Sequence, residues 1–123
     1  MRKPSRKTLR NKADKLWSEL VRQRNKGRCE ICSKLATNPH HIIGRKNLTL
    51  RHDPRNGVNL CYYCHVGSKT SAHNDPLGFQ DWLIKHRRAD YNYLMFKRME
   101  LATKVDYNER IEWLKKELKK LNK

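Results

Sequence analysis

The chain has 123 residues, with 29 Lys and Arg against 12 Asp and Glu, a formal charge of +17 and a pI near 10.1. That length supports one small domain with a modest core. A field of that sign seeks polyanions, of which nucleic acid is the commonest in a cell, although a solvated basic face serving solubility has the same composition. No apolar run is long enough to cross a bilayer, and none follows the basic start Met1-Arg2-Lys3, which argues against a membrane protein and a secreted, disulfide-linked one and leaves the cytoplasm as the expected compartment.

Residues 1–27 predict a strongly basic helix. Ala13, Leu16, Trp17, Leu20 and Val21 recur at helical spacing, Arg10, Lys12, Lys15, Arg22 and Arg24 occupy the other faces, and Gly27 is the expected stop. Residues 28–75 change character, with short β-branched pieces and few charges. His41-Ile42-Ile43 and Val58-Asn59-Leu60 read as two short strands. The long loop between them runs through Gly44-Arg45-Lys46-Asn47, whose basic residues are expected to face phosphate, and on to the turn formers Asp53-Pro54-Arg55-Asn56-Gly57.

Residues 76–123 return to helix. Asp75-Pro76 is a cap and first turn ahead of apolar Leu77, Phe79, Trp82 and Leu83. Asp90 is the expected cap of a second helix with Tyr91, Leu94, Met95 and Met99 on one face. Asp106 and Glu109 form a capping-box pair before Ile111, Leu114, Leu118 and Leu121. This last helix carries Lys115, Lys116, Lys119, Lys120 and Lys123, and its apolar stripe is a candidate homodimer surface. With no internal repeat and no low-complexity linker, the chain reads as a single α+β domain.

The four cysteines fall in two Cys-x-x-Cys pairs, Cys29 with Cys32 and Cys61 with Cys64. Each such turn supplies two thiolates from one tight knuckle, and two knuckles close a tetrahedral zinc site. The interval between them is longer than in a simple ribbon, so other structure is inserted there. A redox dithiol pair and unliganded core cysteines are the alternatives. With the thiolates closing the zinc site, His40, His41 and His65 are left free for chemistry.

The motifs Cys29-Glu30-Ile31-Cys32, Pro39-His40-His41-Ile42-Ile43-Gly44-Arg45 and Asp53-Pro54-Arg55-Asn56-Gly57, the last running on to Cys61-Tyr62-Tyr63-Cys64-His65, together resemble the HNH endonuclease family. The resemblance spans residues 28–75, under half of the chain, and its flanks are similar to those of small phage-borne members, including nucleases of recombination. It implies a small ββα-metal core with structural zinc, flanked by N- and C-terminal helices. It further implies His41 as general base, His40 and His65 as ligands of a catalytic divalent ion, and Asn56 as the brace of the loop between the strands. Position 40 is often aspartate in the family. A histidine there softens the site and brings Mn²⁺, Ni²⁺ or Zn²⁺ alongside Mg²⁺. A third ligand four residues beyond His65 would fall on Lys69, which cannot serve while protonated, so His73 is the further candidate. His52 and His86 read as surface or phosphate-facing.

Hydrolysing a phosphodiester needs a base for water and a cation for the developing charge, and histidine with an ordinary pKa of about 6.5 suits the first task. The expected activity is therefore metal-dependent nicking or double-strand cleavage of DNA, in a phage setting of recombination, packaging or homing. DNA is expected to be held mainly by its backbone through Arg10, Lys12, Arg22, Arg24, Arg45 and Lys46. The rival is a non-catalytic zinc-stabilised nucleic-acid-binding module, in which the histidines only support the knuckles and Asn56 is only a turn former before Gly57.

Overall fold

The structure, a computed structural model, describes residues 2–100 and 104–122. Helix α1 (Arg6–Arg24) begins where the Ser5 hydroxyl accepts the Thr8 N–H. It ends ahead of Gly27, whose φ of +72° lets its N–H return to the Arg22 carbonyl at 2.9 Å. Strands β1 (Asn38–His41) and β2 (Gly57–Leu60) pair antiparallel, with His40 opposite Val58 and His41 opposite Gly57. The first strand thus ends at His41, short of the expected Ile43. Ile42 and Ile43 belong instead to the loop exit, bonded through their N–H groups to the Asn56 backbone and side chain.

After β2 the chain enters the second knuckle. A single π-helical turn covers Tyr63–Gly67, and regular helix resumes only at α2 (Pro76–His86), capped by Asp75 on the Gly78 N–H. Helix α3 (Arg88–Lys97) follows at once. Asp90 sits in its first turn and is not its cap, because its carboxylate is drawn to the Arg55 and Arg87 guanidinium groups at 2.8 and 2.9 Å. Leu77 and Met99, expected on apolar faces, are exposed. Helix α4 (Tyr107–Leu121) opens on Asp106, which accepts the Glu109 N–H. Lys123 lies outside the described residues.

Two apolar clusters result. Ile111, Leu114 and Leu118 of α4 pack on Ala13 and Leu20 of α1. The stripe read as a dimer surface is therefore covered within the chain, for an amphipathic helix buries its apolar face on the nearest complementary one. The second cluster joins Cys29 and Cys61 to Val58, Leu60, Phe79 and Leu83, and so seats the knuckles on the sheet and α2. Gly57 joins α1 to the sheet. A Cβ there would stand 2.5 Å from Val21 and 2.8 Å from Trp17, so only glycine lets α1 approach this closely. Among the described residues no helix is long and apolar enough to cross a membrane.

Candidate metal centre and histidine site

The two knuckles meet. Ser33 N–H and His65 N–H each turn back to the carbonyl of the leading cysteine of their knuckle, Cys29 and Cys61, at 2.9 Å. Ser33 takes a φ of +67° to close the first turn. The four sulfurs lie within 4.8 Å of one another, Cys32 Sγ and Cys61 Sγ at 3.5 Å. Corners of a zinc tetrahedron with Zn–S near 2.3 Å stand about 3.8 Å apart, so the set fits one zinc ion. Crowded thiols divide unevenly. Burial would raise Cys61, but the hydrogen bonds it receives from the Cys64 backbone and the neighbouring thiols bring it down to about 7, while burial and the same neighbours push Cys64 up. A cation resolves that competition for negative charge. The first knuckle is tied to β2 by Asn59, fully buried, whose amide reaches the Arg28 and Ala36 carbonyls and whose N–H donates to Glu30.

Alternation along β1 sends its two histidines to opposite faces. His40 turns towards α2, its ring edge on Phe79 at 5.2 Å and near the rings of His65 and His73 at 5.2 and 5.0 Å. His65 is delivered by the second knuckle. His73 arrives because the chain doubles back: Ala72 N–H meets the Cys64 carbonyl at 2.8 Å and His73 N–H the His65 carbonyl at 3.1 Å. Two Nε2 atoms, of His65 and His73, then stand 3.0 Å apart, and the three histidines present ligand nitrogens within 4.8 Å of one another. Nitrogens sharing one metal at about 2.1 Å sit roughly 3.0–3.4 Å apart, so the trio can hold a divalent ion. His73 is exposed and the other two half-buried, which leaves one side of the trio open to solvent. Burial, then the neighbouring imidazoles, bring His40 down to about 4, which keeps the ring in the neutral form that a metal would need. Lys69 is exposed and takes no place in the trio.

His41 turns the other way and stacks flat on Trp17, centroids 3.8 Å apart and planes within 6°. Its Nε2 lies 2.8 Å from the Arg51 carbonyl. A carbonyl only accepts, so the proton is on Nε2 and the lone pair on Nδ1. Burial lowers its pKa, opposed by that hydrogen bond and reinforced by Arg45. Asn56, fully buried, accepts the Ile43 N–H at 2.6 Å and donates to the Ile43 and Leu50 carbonyls, bracing the two ends of the loop that carries Arg51.

His52 is not a surface residue. It is 2 % exposed, with its Nε2 2.6 Å from Asp14 Oδ1 and its Nδ1 facing Arg110 at 3.1 Å. Arginine only donates, so Nδ1 accepts and Nε2–H donates to the carboxylate. Asp14 also holds Arg51 through two bonds and Arg45 through one. Asp14, Arg51 and Trp17 thus orient the loop and the His41 ring, roles the sequence reading did not assign; the one available signal was an acid in the middle of a basic helix. His86 is exposed, its ring tilted against Trp82.

The basic candidates divide. Arg24 is turned inward to the Pro54 and Gly57 carbonyls and Glu30, a structural strut in place of a phosphate contact. Arg10 and Arg22 are half-buried, and Arg10 Nε is buried with no partner among the described residues. Lys12, Arg45 and Lys46 are exposed, and Arg45 lines the same recess as His41 and Trp17. Comparison with family models, curated proteins and solved structures returned no match.

Proposed function

We propose that the chain is a metal-dependent DNA endonuclease of HNH type, hydrolysing the phosphodiester backbone. The observation that supports this reading is the division of labour on one short strand. His40 joins His65 and His73 in an open nitrogen ligand set, and His41 faces away with its Nε2 proton committed to Arg51 and Nδ1 unencumbered. In this reading His41 Nδ1 takes the proton of the attacking water, held in place by Trp17 and the Arg51 carbonyl. His40, His65 and His73 hold the divalent ion, which when bound supplies a Lewis acid for the phosphate and the leaving oxygen. The all-nitrogen set favours Mn²⁺, Ni²⁺ or Zn²⁺ beside Mg²⁺. The cysteine site holds a separate, structural zinc.

Incubation of plasmid with protein and Mg²⁺, Mn²⁺ or Ni²⁺, with an EDTA control, tests the reading. Metal-dependent nicking is expected, reduced at least about 10²-fold in His41→Ala, the low end of what a positioned base contributes. His41→Ala should keep its metal affinity and His65→Ala should lose it. Near-native nicking by His41→Ala would overturn the role of His41. Tight binding without cleavage under every metal would favour a zinc-stabilised binding module.

A further inference from the structure

Beside the histidine trio a cleft of about 560 Å³ opens between the exit of β1 and helices α2 and α3, with His40 and His73 in its lining. Its size falls in the range of about 300–1,000 Å³ typical of sites that enclose a small ring compound. The walls are apolar and aromatic: Ile42 and Tyr91, both packed on the Phe79 and Leu83 cluster, and Met95. Phe79, also in the lining, meets the His40 ring edge-on at 5.2 Å between centroids, so aromatic surface adjoins the trio.

The rim is polar in a specific way. Gln80 Nε2 donates to the Tyr91 hydroxyl at 2.6 Å, linking α2 to α3. The Tyr91 O–H proton and Gln80 Oε1 remain without a protein partner among the described residues, so a donor and an acceptor stand side by side over an apolar floor. Arg98, exposed, brings a cation to the same cleft. A lipid tail has no use for the paired donor and acceptor. A heterocycle with hydrogen-bonding edges uses both, and the charge of +17 selects a polyanion carrying such rings.

We infer that this cleft receives one unpaired nucleobase of the DNA, adjacent to the phosphate held at the histidine trio. The inference rests on the nuclease reading for the position of that phosphate. A base can enter such walls only out of its stack, and the cost of removal is least where it is already unpaired. The substrate class is therefore DNA with a bulge, a flap or a single strand, in preference to perfect duplex.

The test uses a duplex with one bulged 2-aminopurine and its fully paired counterpart. Without added divalent ion, wild-type protein should change the fluorescence of the bulged base and leave the paired one unaltered. Gln80→Trp, filling the rim from an exposed position, and Tyr91→Phe, removing the donor, should each diminish that change. With metal, the bulged duplex should be cut about tenfold or more faster than the paired one, as the saved cost of unstacking implies, and the ratio should fall towards one in Gln80→Trp. Equal signals from both duplexes, or a signal untouched by Gln80→Trp and Tyr91→Phe, overturns the inference even if cleavage is strong. A base-specific signal without cleavage under any metal upholds the cleft and overturns the nuclease reading instead.

Discussion

Every hydrogen-bonding atom of the Asn56 amide is engaged inside the protein, and two of its partners, the N–H and carbonyl of Ile43, have no other bond among the described residues. Stranding a buried polar group costs about 1–3 kcal/mol, and Ile43 is half-buried, so Asn56→Ala is expected to lose about 2 kcal/mol in denaturant unfolding. A change below about 0.5 kcal/mol, the size of an ordinary surface substitution, would make Asn56 a mere turn former. The Asp14–His52 pair gives a second outcome at this scale. Burial lowers His52, opposed by its hydrogen bond to Asp14. Burial alone would raise Asp14, but the hydrogen bonds from His52 and Arg51 outweigh it and hold the carboxyl well below the usual range. In the unfolded chain these groups take up protons near pH 6.5 and 3.9, and the folded chain resists both. The unfolded state then binds more protons, so stability is full above about pH 6.5 and falls as pH drops through that value and again below about 4. His52→Gln should make the fall in stability below about pH 6.5 shallower by up to one proton, about 1.4 kcal/mol per pH unit. Thermal midpoints for wild type and variant that fall in parallel over that range would remove His52 from the account.

The knuckles show how an element far too small to fold alone is stabilised. Each is one turn, yet Cys29 and Cys61 belong to the same apolar cluster as β2 and α2, so a zinc ion held there would couple its binding to sheet formation. Structural zinc in small modules contributes on the order of 10 kcal/mol. Cys61→Ser is thus expected to abolish tight zinc in elemental analysis and to lower the thermal midpoint steeply; an unchanged midpoint would show that the cluster folds without the ion. The paired spacing of the cysteines made this element legible, because a turn-borne ligand pair is a local property. Helices α1, α2 and α4 were legible for the same reason, through their caps at Asp75 and Asp106 and their apolar stripes. What escaped was non-local. The end of β1 is set by Asn56 drawing Ile42 and Ile43 out of the ladder. The position of Asp90 is set by Arg55 and Arg87, and the burial of His52 by Asp14 and Arg110. His73 was a candidate in the sequence, but only the return of residues 72–73 along Cys64 and His65 brings it to the trio.

Across the whole molecule the charge of +17 is not spread evenly over function. Arg24, Arg51, Arg87 and Arg110 are taken up by internal carbonyls, Asp14, Glu30 and Asp90. On α4, Lys115 and Lys120 pair with Glu112 and Glu117 at the surface, contacts worth little in water. Among the candidate cations Lys12 of α1 and Arg45 and Lys46 of the loop are exposed, and Arg45, held to Asp14 at 3.2 Å, shares a recess with His41, so under the nuclease reading the loop pair is the first to test. Each phosphate neutralised releases counterions and contributes about 0.9 to the slope of log affinity against log salt. With about five contacts, affinity for a DNA duplex should fall on the order of a thousandfold between about 50 and 250 mM salt. Removing two of them in Arg45→Ala/Lys46→Ala should flatten the slope by about 1.8 and leave the zinc content unchanged. Replacing Lys116 and Lys119, exposed on α4, should alter the slope little if the DNA lies at the His41 recess, whose lining includes no α4 residue. Should the α4 pair flatten the slope and the loop pair leave it intact, the DNA surface would run along α4 and the His41 recess would lie outside it.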